Sequence, residues 1–194
     1  MGPMIILNTM QFTGSILNQY VKNTFHLNDT RVLLNDVIDE NGSVPTLNQN
    51  KLILTMINIQ KETLKPFNVR FKTMENGNFA HNAPVERYNL AMMVSSHFDD
   101  YAESLKFLNA SILFFQAHPS IDATNYANLP KGIKKLDYEI DTISYHEMFN
   151  LWSAMGAKYR PSCIYKVRLM TLDPAEFSAF EPAVTTVSKV VAPQ

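Results

Sequence analysis

The sequence has little of what most reactive or secreted proteins rely on. Cysteine occurs once, at Cys163. One cysteine closes no internal disulfide and builds no thiolate metal site by itself, so the chain fits a reducing compartment. Glycine is scarce, with six well-separated residues, and no dinucleotide-binding glycine pattern appears. "MGAK" (155–158) lacks the preceding glycine and the following Ser or Thr of a phosphate-binding loop. No apolar run approaches the roughly 18 residues of a membrane span, so no direct membrane insertion is expected. The start, "MGPMIILNTM", has no basic segment ahead of a long apolar core, so no signal peptide is expected. Ile6 stands where a myristoylation signal carries Ser or Thr. Charge bias is absent too: 17 basic against 18 acidic residues give a net charge of -1. The longest basic cluster is Lys131, Lys134 and Lys135, too small for a phosphate backbone, and no nucleic-acid partner is expected.

What is present describes a folded domain. Of 194 residues, 46% are hydrophobic, enough for one sizeable core. Phe12, Ile16, Leu17 and Tyr20 recur at helical spacing over residues 8–24, although Gly14 weakens that helix by about 1 kcal/mol. Residues 31–39 form a short strand candidate, closed by the turn "ENGS" (40–43). Residues 50–64 carry the strongest strand pattern. Ile53, Thr55, Ile57 and Ile59 share one face and Leu52, Leu54 and Met56 the other, which places the strand inside a sheet. Residues 65–86 are rich in Asn, Gly and Pro and read as a long loop or hairpin arm.

A strand returns over 87–98. Asp99 and Asp100 then cap a helix running to about Gln116, with Leu105, Leu108, Ile112 and Phe115 at helical spacing and Pro119 beyond its end. Residues 134–144 alternate Leu136, Tyr138 and Ile140 as a half-buried strand. A short helix follows, with Ser144 and Glu147 as a capping box and Gly156 as its stop. Residues 162–173 form the last core strand, and 183–191, "AVTTVSKVV", is strand-like. The order predicts an α/β (α+β) fold with a mixed, largely antiparallel sheet and flanking helices. We divide it into a domain over 1–173 and a C-terminal extension or arm over 174–194.

The residues offer few catalytic constellations. His146-Glu147 begins a zinc-protease pattern, but Asn150 stands where the second histidine belongs. Asp99-Asp100 reads as a helix cap, and Asp137, Glu139 and Asp141 as the solvent side of a strand. Cys163 would be a nucleophile only if a neighbour lowered its pKa; at a strand start beside Ile164 it reads as a small buried hydrophobe. No catalytic, cofactor or metal site is expected.

The stretch "LWSAMGAKYRPSCIYKVRLM" (151–170) holds the only tryptophan and the only cysteine. Together with Asn89-Leu90, Asp100-Tyr101, Leu105 and Leu108, its residues Leu151-Trp152, Gly156, Tyr159-Arg160-Pro161-Ser162, Tyr165, Val167 and Arg168 form an extended pattern. That pattern resembles the cap, or tube-terminator, proteins of contractile injection systems over roughly residues 8–173. The resemblance implies a domain similar to phage tail terminators, assembled as a homohexameric ring on the last layer of the inner tube. The ring would join tube to sheath at the baseplate-distal end, without catalysis or cofactor. Its partners would be further copies of itself, the inner tube protein and the sheath protein. Assembly would be cytoplasmic, within a particle later released or membrane-anchored. An adaptor of sheath or baseplate in the same machine is the alternative; a small enzyme using Cys163 is a more distant one.

The residues themselves give Trp152 the role of anchoring its helix on the sheet. Gly156 permits the sharp exit and Pro161 fixes entry to the next strand. Tyr159 and Arg160 stand at the edge of the turn, where an interface favours such side chains. Val184, Val187 and Val190 in the tail are expected to contact a neighbouring subunit by strand addition.

Overall fold

The computed structural model describes residues 4–62, 71–73, 79–81, 87–171 and 180–181. Its backbone is a six-stranded sheet with helices on both faces. Along the chain run α1 (Ile5–Phe25), β1 (Val32–Leu34), a 3₁₀ turn (Thr46–Asn48), β2 (Leu52–Lys61), β3 (Phe71–Thr73), β4 (Phe79–His81) and β5 (Arg87–Ser96). Then come α2 (Tyr101–Ala117), β6 (Ser120–Asp122), β7 (Ile133–Asp141), α3 (Tyr145–Ala154), β8 (Ser162–Thr171) and β9 (Phe180–Glu181). The large sheet has the order β1-β2-β5-β8-β7-β6. Only β1–β2 is parallel; every other pairing is antiparallel. The mixed, mostly antiparallel α+β architecture expected from the element order is the one observed.

Period-two alternation divides the sheet into two apolar faces. Leu52, Leu54, Leu90, Met92, Val94, Cys163, Tyr165, Val167 and Leu169 join Leu17, Val21, Phe107 and Phe114 of α1 and α2 in one core. Met93 and Ile164, one residue out of phase, face the other way and pack with Trp152 of α3 and with Val37, which follows β1. A two-sided core explains why β2 reads as apolar on both faces where it is flanked by β1 and β5. The Tyr138 hydroxyl lies 2.7 Å from Thr13 Oγ1, a buried bond tying β7 to α1. Ser96 Oγ donates to the Ser104 carbonyl at 2.9 Å, and Ser104 Oγ returns to the Ser96 carbonyl at 3.4 Å, joining β5 to α2.

Several elements depart from the sequence pattern. The predicted 31–39 strand is paired only over Val32–Leu34. Asp39 ends any extension, because its carboxylate accepts from the backbone N–H groups of Asn41 and Ser43 and closes a turn. The buried face of α2 is Ser104, Phe107, Ala110, Ser111, Phe114 and Phe115, rotated from the predicted stripe. Leu105 is exposed, while Leu108 and Ile112 lie at the margin of the core. Stacking of Phe107 on Phe98, centroids 4.3 Å apart, fixes this rotation. Ile140 keeps the phase of Leu136 and Tyr138 but is exposed, since β7 runs past the three residues of β6. The short edge strand β6 had no pattern of its own in the sequence.

The 65–86 segment contains the hairpin β3–β4, and β9 adds to β4 to make a separate three-stranded sheet. The hairpin leaves from the end of β2 and returns at the start of β5. The tail leaves from the end of β8, whose Met170 pairs with Arg87. Hairpin and tail therefore depart from one end of the large sheet and meet as a composite arm.

Candidate functional site

α3 is built by its two ends. The Ser144 hydroxyl accepts from Glu147 N at 3.2 Å, and the Glu147 carboxylate accepts from Ser144 N at 2.7 Å, completing the capping box. That bond to Ser144 also draws the Glu147 carboxyl below its ordinary pKa. At the other end, Ala157 N donates to the Trp152 carbonyl at 3.1 Å and Gly156 N to the Ser153 carbonyl at 3.0 Å. This is a Schellman closure, with Gly156 in the left-handed region at φ 69° and Ala157 packed in the same apolar cluster as Trp152. A Cβ on Gly156 would meet Ile38 Cδ1 at 3.4 Å.

Between these caps Trp152 is 2% exposed and packs with Met93, Ile164 and Val37. Its indole Nε1 is buried without a hydrogen-bond partner among the described residues, so its attachment there is apolar. Tyr159 crosses the Trp152 ring edge-on, centroids 5.7 Å apart, yet remains 65% exposed. Tyr145 (98% exposed) and Phe149 (69%) lie on the outward side of α3. The helix therefore buries one aromatic and presents others to solvent, a composition favoured at protein contacts.

The rest of the motif separates. Pro161 directly precedes β8, and its carbonyl accepts from Ser96 N at 2.9 Å. Arg160 lies half-buried beside His97. Tyr165 points to the opposite face of the sheet, buried against Phe115 with centroids 4.4 Å apart. Arg168 is exposed on β8 and pairs loosely with Glu139 at 3.8 Å. The motif thus supports both faces and the surface of β8 and α3; it does not gather around one reacting point. Val184, Val187 and Val190 lie outside the described residues.

Cys163 faces the α1/α2 core. Burial pushes its thiol pKa up to about 11, against smaller opposing bonds to Tyr165 and Ser111. A protonated, enclosed thiol is a poor nucleophile at neutral pH. Asp100 is the N-cap of α2, accepting from Glu103 N at 2.9 Å, while Asp99 binds Gln49 and Asn50 side chains. Asp137 is paired with Lys135 at 2.8 Å. His146 is bonded to Asn150 at 3.0 Å on an exposed helix face. Among the described residues no group of three His, Cys, Asp or Glu could hold a metal ion, and no helix is long and apolar enough to cross a membrane.

Two features had weak signals in the sequence. His97 is buried just after β5, with Nε2 3.0 Å from Ser95 Oγ and Nδ1 without a partner among the described residues. Burial, and then the Arg160 charge, lower its pKa to about 4. Its only signature in the chain is a polar triplet, Ser95-Ser96-His97, ending an apolar strand. The second is an open groove of about 720 Å³ between α1 and residues 125–130, lined by Gln11, Phe12, Gln19 and Tyr126 among others. Its lining is amide and aromatic and holds no acid–base pair.

Two solved structures share this fold along the whole chain. One is described as the sheath/tube terminator, in the extended state, of the extracellular contractile injection system PVC: 15% identity, TM-score 0.59, 65% of that chain covered. The other is described as the tube terminating cap of the anti-feeding prophage: 12% identity, TM-score 0.60, 63% of that chain covered. The chain belongs to the Pvc16 N-terminal domain family, which it matches over residues 14–186. The kinship read from the Trp152–Arg168 motif is therefore correct. The chain spans just under two-thirds of the length of these two terminators. No curated protein matches it.

Proposed function

We propose that this chain caps a contractile injection system. Copies assemble as a homohexameric ring that ends the inner tube and links it to the sheath at the baseplate-distal end. The role is structural and uses no catalysis. The observation that carries this reading is family membership over residues 14–186, joined to a fold shared with two terminators along the whole chain. The partners are then further copies of the chain, the inner tube protein and the sheath protein, and assembly takes place in the cytoplasm.

The molecule supports a packing role in its own terms. A cyclic ring of this kind needs two unlike patches that match head to tail. The outward side of α3 with Tyr159 and Arg160 supplies one aromatic patch, and the arm end of the sheet supplies a different one. Residues 174–194 act as an extension beyond the 1–173 domain, with Val184, Val187 and Val190 contacting a neighbour as an added strand.

Deletion of the gene in a particle-producing cell tests the role. Tubes of uncontrolled length or without sheath attached at the distal end are expected by electron microscopy. Particles of normal length with a normal distal end would contradict it.

A further inference from the structure

The outer edge of β2 is half covered. β1 pairs only Leu52, Ile53 and Leu54. From Met56 to Gln60 no strand pairs that side among the described residues, while β5 pairs the inner side to Lys61. Backbone phase can be followed along the edge. Leu52 N–H donates to the Arg31 carbonyl and the Leu54 carbonyl accepts from Asn35 N, so these groups face outward. The register shift between Met56 and Asn58 adds Ile57 and reverses the phase, which turns Ile59 outward. Among the described residues the Ile59 N–H is met only by the side chain of its neighbour, Asn58 Oδ1, at 2.8 Å. Met56 (40% exposed) and Ile59 (36%) flank it. Natural edges are commonly guarded by Lys, Pro or inward charge; here Met56-Ile57-Asn58-Ile59-Gln60 carries neither proline nor charge. The guard is a bulge and one amide.

We infer that the open edge of β2 accepts a strand from a second copy of this chain, namely its residues 183–191. The inference rests on the ring proposed above and names its joint. That segment is Val- and Thr-rich with a single charge, Lys189, and follows closely on β9, which its own chain already holds on β4. A strand donor and a strand acceptor are two unlike patches of the sort head-to-tail contact requires. On docking, a carbonyl of the incoming strand replaces the Asn58 amide at Ile59 N–H, and valines cover Met56 and Ile59.

Site-directed disulfides test the joint in the 194-residue chain. An Ile59→Cys variant and a tagged Val187→Cys variant are expressed together in particle-producing cells, and purified particles are oxidised. Val184→Cys and Val190→Cys repeat the test in neighbouring registers. A mixed tagged–untagged dimer on a non-reducing gel, absent with either variant alone and lost on reduction, is the expected result. No mixed dimer with any of the three would overturn the inference, as would closure only within a single chain carrying both cysteines. Images of the same particles separate the two claims. The chain at the tube end without cross-links leaves the cap standing and removes the joint; its absence from the tube end removes the cap.

Discussion

Trp152 carries more of the second core than any other side chain, and its loss should be felt accordingly. It is buried against Met93, Ile164 and Val37, so Trp152→Ala leaves a large cavity under α3 and is expected to cost about 3–5 kcal/mol. Trp152→Phe gives up volume but no hydrogen bond, because Nε1 has no partner among the described residues, and should cost clearly less. Urea titration of both variants checks the order. Cys163 makes the opposite kind of prediction. With its thiol pushed up to about 11 inside the core, it should resist alkylation at pH 7.5 in the native chain and react fully once the chain is unfolded. Rapid labelling of the folded protein would revive a reactive cysteine.

His97 is the residue through which acid should act. Its folded pKa of about 4 lies below the ordinary 6.5, so the unfolded chain binds the proton first as pH falls. The stability tied to neutral His97 is complete above about pH 6.5 and drains away between that value and pH 4, by on the order of 3 kcal/mol. His97→Gln should flatten that part of the stability–pH curve relative to the unsubstituted chain, read by denaturant midpoints at several pH values. Equal slopes for both would show that another group governs acid sensitivity.

At the scale of elements, the α3 turn is where sequence and structure agree most closely. Ser144, Glu147 and Gly156 are local signals, each satisfied within a few residues, and all stand where the spacing puts them. Gly156→Ala is expected to cost about 1–2 kcal/mol, since an L side chain at φ 69° is strained and its Cβ crowds Ile38. Thermal melts would show it. β2, β5, β7 and β8 were legible for a similar reason: each carries its own alternation. The face of α2 was not, because the helix is apolar on more than one side and the Phe98–Phe107 stack chooses the rotation. Nor was β6, three residues long and defined only by its partner β7. The motif residues were found by resemblance, but their dispersal over two sheet faces and the surface needs the register of β8 to be seen. His97 was missed because burial, not sequence, makes it unusual.

The whole molecule joins a two-sided core to an arm made from distant parts of the chain. Residues 71–73, 79–81 and 180–181 come together only because the hairpin and the tail leave the same end of the large sheet. Removing the hairpin should therefore disturb the tail, and a contact made by one belongs to both. Helices lie on both faces of the large sheet, and the edge of β2, the outward side of α3 and the arm are the surfaces the proposed ring would use. That distribution suits a subunit held by neighbours on several sides. Its proposed place is the baseplate-distal end of the tube. The measurement that tests it most directly is electron microscopy of purified tube-and-sheath particles carrying an epitope-tagged chain, labelled with gold. Label confined to the baseplate-distal end of the tube is the predicted result. Label at the baseplate, or particles with no label while the tagged chain remains free in the lysate, would contradict it.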